Sequence, residues 1–267
     1  MIRIGVLGSE SSHVDAFVRH FSIERRFDGM AITDVLAASP ERDTELRALG
    51  LRVRDRLGEF LDDVDAVMVT HRDGSTHADL AASALERGLP TFVDKPLATS
   101  RADADALARI ARDTPLMSGS VFHWHSEVLR LARALSPGAA IEVVGTAQPT
   151  CEHAGIFFYG IHAAETAATL VGVGDWGRVT VDRRPGQLVL RASAGAGEVT
   201  VRLLDEPPGR RPLLVTTDGG VTVLDLDQDY LMPVSERFAA MLLSGEAPGL
   251  AHAVAGIELL EAAAETP

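Results

Sequence analysis

Ile2-Arg3-Ile4-Gly5-Val6-Leu7-Gly8-Ser9-Glu10-Ser11-Ser12-His13 is the stretch on which the fold class turns. An apolar run stops on a glycine, passes through small hydroxyl residues and enters a helical stretch, which reads as strand, turn and helix. A dinucleotide fold places G-x-G-x-x-G from Gly8 onward, so that phosphates approach backbone N–H groups at a helix N-terminus. Gly8 meets the first position, but Glu10 stands at the second and His13 at the third. Glu10 adds bulk and negative charge near where a pyrophosphate would lie. Ser9, Ser11 and Ser12 keep hydroxyl donors there. The motif alone does not establish a nucleotide site; its place at the head of an alternating domain gives it weight.

That alternation runs through the first ~120 residues, the pattern of a parallel sheet covered on both faces. Strands are expected at 2–8, 31–38, 51–54, 64–70, 89–93 and 115–119, with helices near 12–27, 41–49, 76–87 and 102–112. Asp73-Gly74-Ser75-Thr76 and Thr99-Ser100 supply caps, and Gly88 a stop. A helix near 126–135 and the Ser136-Pro137-Gly138 break follow, then a strand over 141–147 and a helix from about 161 to 171. Strands are then expected at 179–183, 187–192, 198–204, 213–217 and 221–226. Turn signals join them at Arg184-Pro185-Gly186, Gly195-Ala196-Gly197, Pro207-Pro208-Gly209 and Asp218-Gly219-Gly220. Helices near 234–243 and 251–264 close the chain. The fold class is therefore α/β: a Rossmann-type parallel sheet over 1–120, then an α+β domain over 121–267 with an open, mainly antiparallel sheet. The closing helices are free to pack back on the first domain.

Bulk properties narrow the function. With 267 residues the chain can bury a large core. A formal net charge of -13 argues against nucleic acid and anionic membrane as partners. One cysteine, Cys151, excludes an internal disulfide and fits a reducing compartment. No signal-peptide layout or membrane-length apolar run is seen, so a cytoplasmic protein with a small-molecule substrate is expected.

Lys95, in Phe92-Val93-Asp94-Lys95-Pro96, is the only lysine among 25 basic residues. An amine loses its proton when desolvated, whereas a guanidinium does not, so proton chemistry is expected at Lys95. A chance survivor of an arginine bias is the alternative. The second strand ends Leu36-Ala37-Ala38-Ser39-Pro40-Glu41-Arg42, with no acid at its tip for a ribose diol. Ser39 and Arg42 would tolerate a 2′-phosphate, a slight lean to NADP over NAD; a plain turn before a helix explains them equally.

The glycine-bearing first strand, Thr70 ending the fourth, His77 opening the next helix and Asp94-Lys95-Pro96-Leu97-Ala98 ending the fifth together resemble the Gfo/Idh/MocA oxidoreductases. The resemblance covers nearly the whole chain, although the second domain is shorter than is usual. It implies a Rossmann domain joined to an open-sheet domain, and hydride transfer between NAD(P) and a hydroxyl or carbonyl of a small sugar, polyol or sugar-like metabolite. It implies that Lys95, between nicotinamide and substrate, is the general acid/base. It places Gly8, Ser9, Glu10, Ser11, Ser12, Ser39, Thr70, His71, Asp94 and Lys95 beside the cofactor. The family's D-x-G-x-H-x-x-D pattern falls on Phe158-Tyr159-Gly160-Ile161-His162-Ala163-Ala164-Glu165. His162 is then Lys95's catalytic partner and Glu165 the final acid, while Phe158 replaces the first aspartate. Tyr159 stands ready to supply a hydroxyl instead. His123 and Trp124 follow the sixth strand at a substrate-contacting position, or cover the domain junction. The family's sheet often builds oligomers, so a homo-oligomer through the second sheet is expected. The histidine and cysteine spacings match no zinc frame, and no metal is expected. Two alternatives remain: a non-redox lyase or isomerase on this fold, and a catalytically silent binding subunit with a degenerate cofactor loop.

Overall fold

The structure, a computed structural model, describes residues 1–172, 176–194, 197–206 and 212–265. The chain falls into two compact units, Met1–Asp94 with Asp105–Ser118 and Leu231–Pro248, and Lys95–Ala104 with Gly119–Tyr230 and Gly249–Pro267.

The first unit is built on six parallel strands: β1 (Ile2–Leu7), β2 (Met30–Leu36), β3 (Arg52–Arg54), β4 (Ala66–Val69), β5 (Thr91–Val93) and β6 (Leu116–Ser118). Their spatial order is β3-β2-β1-β4-β5-β6, so the winding reverses between β1 and β4. That reversal opens a crevice at the strands' carboxyl ends, the place where this architecture binds ligands. The central strands are buried on both faces, which is why Ala66-Val67-Met68-Val69 and Thr91-Phe92-Val93 read as unbroken runs. Helices α1 (Ser12–Val18), α2 (Pro40–Ala48), α3 (Leu57–Asp62), α4 (His77–Leu85) and α5 (Arg101–Ala111) connect them. The helix expected over 12–27 stops at Val18 and continues as one π-helical turn, Arg19–Ile23. The wider turn lets consecutive His20 and Phe21 both be buried. Helix α3, six residues long, is too short to announce itself by periodicity.

The second unit carries α6 (Ser126–Ala134), β7 (Ile141–Ala147), α7 (Phe157–Val171), β8 (Thr180–Arg184), β9 (Gln187–Ala194), β10 (Gly197–Asp205), β11 (Leu213–Thr217) and β12 (Gly220–Leu224). The sheet order is β12-β11-β7-β10-β9-β8. Neighbours pair antiparallel except β7 and β10, which run parallel, so the first strand of this unit ends up central. Strict alternation of buried and half-buried residues along β7 gives the sheet one core face. Helix α7 is apolar and mostly buried, and it begins four residues before the expected start. The turns expected at Gly195-Ala196 and Pro207-Pro208-Gly209 lie outside the described residues.

Two helices finish the chain, α8 (Met232–Ser244) and α9 (Ala251–Glu265). Helix α8 belongs to the first unit, where Phe238 meets Phe21 and Phe92 with ring centroids 6.2 and 6.1 Å away. Helix α9 belongs to the second, where the Trp176 indole N–H donates to Ala255 O at 2.8 Å. Trp176 thus ties down helix α9. Of the two units, the first takes in 231–248 and the second takes in 95–104.

Candidate active site

In the first unit the expected cofactor residues gather at the carboxyl ends of β1, β4 and β5. Gly8 has φ +94, and a Cβ there would collide with the main chain of His71. Thr70, wholly buried, donates its hydroxyl to Gly8 O at 2.8 Å and so pins the end of β4 to the β1 turn. Glu10 lies across the same two loops: Oε1 accepts from Arg72 N at 3.1 Å and lies 3.3 Å from His71 Nε2. The charge at the second glycine position is thereby held against the loop after β4.

The hydroxyls do not all face outward. Ser9 is wholly buried, its Oγ 3.4 Å from Leu36 O, and Ser11 caps α1 by accepting from His13 N at 3.3 Å. Only Ser12 of the three is exposed. His13, standing for the third glycine, meets Asp94 Oδ2 through Nδ1 at 2.6 Å, so the residue before Lys95 is anchored to the first turn of α1.

At the tip of β2, Ser39 Oγ accepts from Arg42 N at 3.3 Å and caps α2. The Arg42 guanidinium donates to Ser9 O at 2.9 Å, Asp15 Oδ1 at 2.5 Å and Glu45 Oε2 at 3.0 Å. Burial works against its charge, but Asp15 and Glu45 more than offset this and raise its pKa. Asp43, which sequence reading passed over, reaches back from α2 to accept from Ala38 N at 3.0 Å. The chemistry at this end is thus a carboxylate and an occupied arginine. Gly8, at the other end of the crevice, fits a dinucleotide turn.

In the second unit one face of α7 carries the chemistry. Phe158, His162, Glu165 and Thr169 recur at steps of four, three and four, which aligns them along the helix. Each meets a partner from 95–123. Lys95 Nζ donates to Phe158 O at 2.9 Å and lies 4.2 Å from that residue's ring centroid. Ser120 Oγ meets His162 Nδ1 at 2.6 Å, and Ser120 N donates to Glu165 Oε2 at 2.5 Å. His123 Nδ1 meets Thr169 Oγ1 at 2.7 Å. The Lys95–Pro96 peptide is cis.

His123 also stacks on buried His252 from α9, ring centroids 3.3 Å apart, with the Trp124 ring edge-on to both. Tyr159 is half-buried beside Phe158. Glu165 is wholly buried, which fits an anchor of the Ser120 main chain rather than a substrate contact. Sequence reading missed Ser120, Thr169 and His252. Thr169 alone had a local signal, lying seven residues past His162 on the same helical stripe. Among the described residues no three His, Cys, Asp or Glu side chains gather as metal ligands, and no helix is long and apolar enough to cross a membrane.

Comparisons with known proteins bear on the fold. Residues 2–122 match the family model described as an oxidoreductase family with an NAD-binding Rossmann fold. An inositol 2-dehydrogenase from Gluconacetobacter diazotrophicus is 34% identical over 105 residues, 38% of this chain and 30% of that protein. The matched stretch therefore spans less than a third of that relative. The WlbA (WbpB) dehydrogenase of Thermus thermophilus, solved with NAD and UDP-GlcNAcA, superimposes with a TM-score of 0.80 at 16% identity, covering 100% of this chain and 96% of that one. A myo-inositol 2-dehydrogenase from Lactobacillus plantarum gives 0.78 at 13% identity, covering 99% and 96%. At these identities the structural likeness establishes the fold.

Proposed function

We propose that the chain, whose residues 2–122 match the Gfo/Idh/MocA family model, is an NAD-dependent oxidoreductase acting on a hydroxyl or carbonyl of a small sugar, polyol or sugar-like metabolite. The observation that carries this reading is the placement of the sole lysine. Lys95 is held by Phe158 on the same helical face that bears His162.

Bound nicotinamide supplies hydride exchange at the substrate carbon. The protein's own residues handle the oxygen. When a carbonyl is reduced, the Lys95 ammonium gives its proton to the oxygen that becomes the hydroxyl; when an alcohol is oxidised, the neutral amine takes that proton. His162 orients the same oxygen. Gly8, Ser12, Thr70 and His71 border the dinucleotide, with Asp94 held behind them by His13. NAD is favoured over NADP because Arg42 is committed to Asp15 and Glu45 rather than left for a 2′-phosphate. Phe158 in place of an acid removes one hydroxyl acceptor from the substrate side, and Tyr159 offers a phenol in its stead.

A homo-oligomer is part of the same reading. Leu214, Val221 and Val223 are exposed on paired strands β11 and β12, with Leu214 opposite Val223, and form an apolar outer face. Light scattering of the purified chain measures this directly.

Glu10 supports the rival of a non-redox or silent protein, because it stands where a pyrophosphate prefers glycine. Calorimetric titration with NADH and NADPH decides between them. Micromolar NADH binding, with turnover followed by nicotinamide absorbance, supports the redox reading. Absence of binding by protein free of co-purified nucleotide would end it.

A further inference from the structure

Glu10 stands where a dinucleotide turn has its second glycine, and its carboxylate is engaged. Oε1 accepts from Arg72 N at 3.1 Å and lies 3.3 Å from His71 Nε2. Two polar groups of the loop after β4 thus lie against one oxygen. A carboxylate only accepts, so the imidazole nitrogen that faces it bears the hydrogen. A main-chain N–H and an imidazole N–H converging on one charged oxygen are the elements of an anion site.

The loop is braced from within. His71 Nδ1 meets Thr76 Oγ1 at 2.9 Å, Asp73 Oδ1 accepts from Ser75 N at 3.0 Å, and His77 Nε2 meets His71 O at 2.6 Å. From the other side the Thr70 hydroxyl holds Gly8 O at 2.8 Å, and Gly8 packs directly on the His71 main chain. The β1 turn and the loop after β4 therefore keep a fixed spacing. The Glu10 and His71 side chains themselves are 33% and 38% exposed. The carboxylate therefore has water to swing into, and its departure leaves no buried charge behind.

We propose that Arg72 N–H and His71 Nε2 form a phosphate subsite, which Glu10 fills with its own carboxylate and from which a nucleotide's diphosphate displaces it. Glu10 is then a built-in competitor, placed at the position of the turn where glycine would leave the backbone open to a phosphate. Binding breaks the Glu10 contacts and hands the same two donors to the ligand. The strap thereby weakens nucleotide binding and speeds release, since affinity differences fall mostly on the dissociation rate. That the phosphate belongs to a nicotinamide dinucleotide rests on the reading above; the subsite itself does not.

The test is calorimetric titration of the full-length protein with inorganic pyrophosphate and, separately, with NADH. Glu10→Ala removes the strap and is expected to tighten both by about fivefold to thirtyfold, the combined worth of an exposed ion pair and of charge repulsion at contact distance in water. Glu10→Gln keeps the length but not the charge and is expected to fall between wild type and Glu10→Ala. Adding His71→Ala to the Glu10→Ala protein is expected to cancel most of the gain. A Glu10→Ala protein that binds pyrophosphate no more tightly than wild type overturns the inference. So does an affinity unchanged by the added His71→Ala, because Glu10 would then only repel. Tightened pyrophosphate binding in a protein that takes no NADH in any form would leave the subsite standing and sink the redox reading instead.

Discussion

Lys95 Nζ is bound to Phe158 through the backbone and through the ring at once: it donates to the carbonyl at 2.9 Å and lies 4.2 Å from the ring centroid. The carbonyl contact survives any side chain at 158, whereas the ring contact needs an aromatic. A cation over a ring face gains about 0.5–2 kcal/mol, depending on how dry the site is. The aromatic ring at 158 therefore gives the ammonium a second means of being held.

Lys95→Ala and Lys95→Arg are both expected to lower kcat by at least about a hundredfold, since neither supplies a titratable amine and general acid–base catalysis contributes about that much. Nucleotide affinity should change little by comparison. Phe158→Leu keeps the carbonyl contact and is expected to cost only about twofold to thirtyfold in kcat, the value of the lost ring contact. Steady-state kinetics beside calorimetry separates these outcomes. Full turnover by Lys95→Ala would remove Lys95 from the mechanism.

Gly8→Ala is expected to destabilise the first unit by more than about 2 kcal/mol, because the residue has φ +94 and an added Cβ would meet the His71 main chain. Thermal unfolding gives the stability, and NADH titration of the folded fraction gives the second consequence, loss of binding. An unaltered Tm would mean that the two loops separate without cost.

Gly119→Ala tests the support of Ser120. A Cβ there would lie 2.6 Å from His252 Nε2, so the stack on His123 must shift. The expected cost is about 1–3 kcal/mol of stability, with a fall in kcat larger than the change in nucleotide affinity. Equal losses in both would point to general unfolding.

Acid sensitivity centres on Asp34. Burial works to raise its carboxyl pKa, but hydrogen bonds from Arg52, Thr33 and Arg54 outweigh this and hold it below the ordinary 3.8. A carboxyl lowered on folding contributes stability that is present above its unfolded pKa and lost as pH falls through the folded one. Asp34→Asn should therefore cost about 2 kcal/mol near neutrality, where charged hydrogen bonds are lost. The gap from wild type should close as the medium is acidified below the ordinary carboxylate range. Tm measured across pH checks it; a constant gap would mean that the charge on Asp34 contributes nothing.

Much of this protein was legible in its residues alone. Alternating apolar runs and amphipathic stretches announce parallel strands and helices because burial on both sheet faces demands them, and β7 and β11 fall at their expected bounds. Lys95 and His162 stood out because an amine in an arginine-rich chain and a histidine in a family frame carry chemical identity without geometry. Tertiary structure alone decided the rest. Ser120 and His162 are 42 positions apart, and no local pattern could pair them. The occupation of Arg42 by Asp15 and Glu45 likewise depends on side chains converging from different elements. Local sequence specifies which elements form, through short-range sterics and periodic burial. Which hydrogen goes to which acceptor is specified only when those elements meet, because a hydrogen bond depends on angstrom-scale distance and direction.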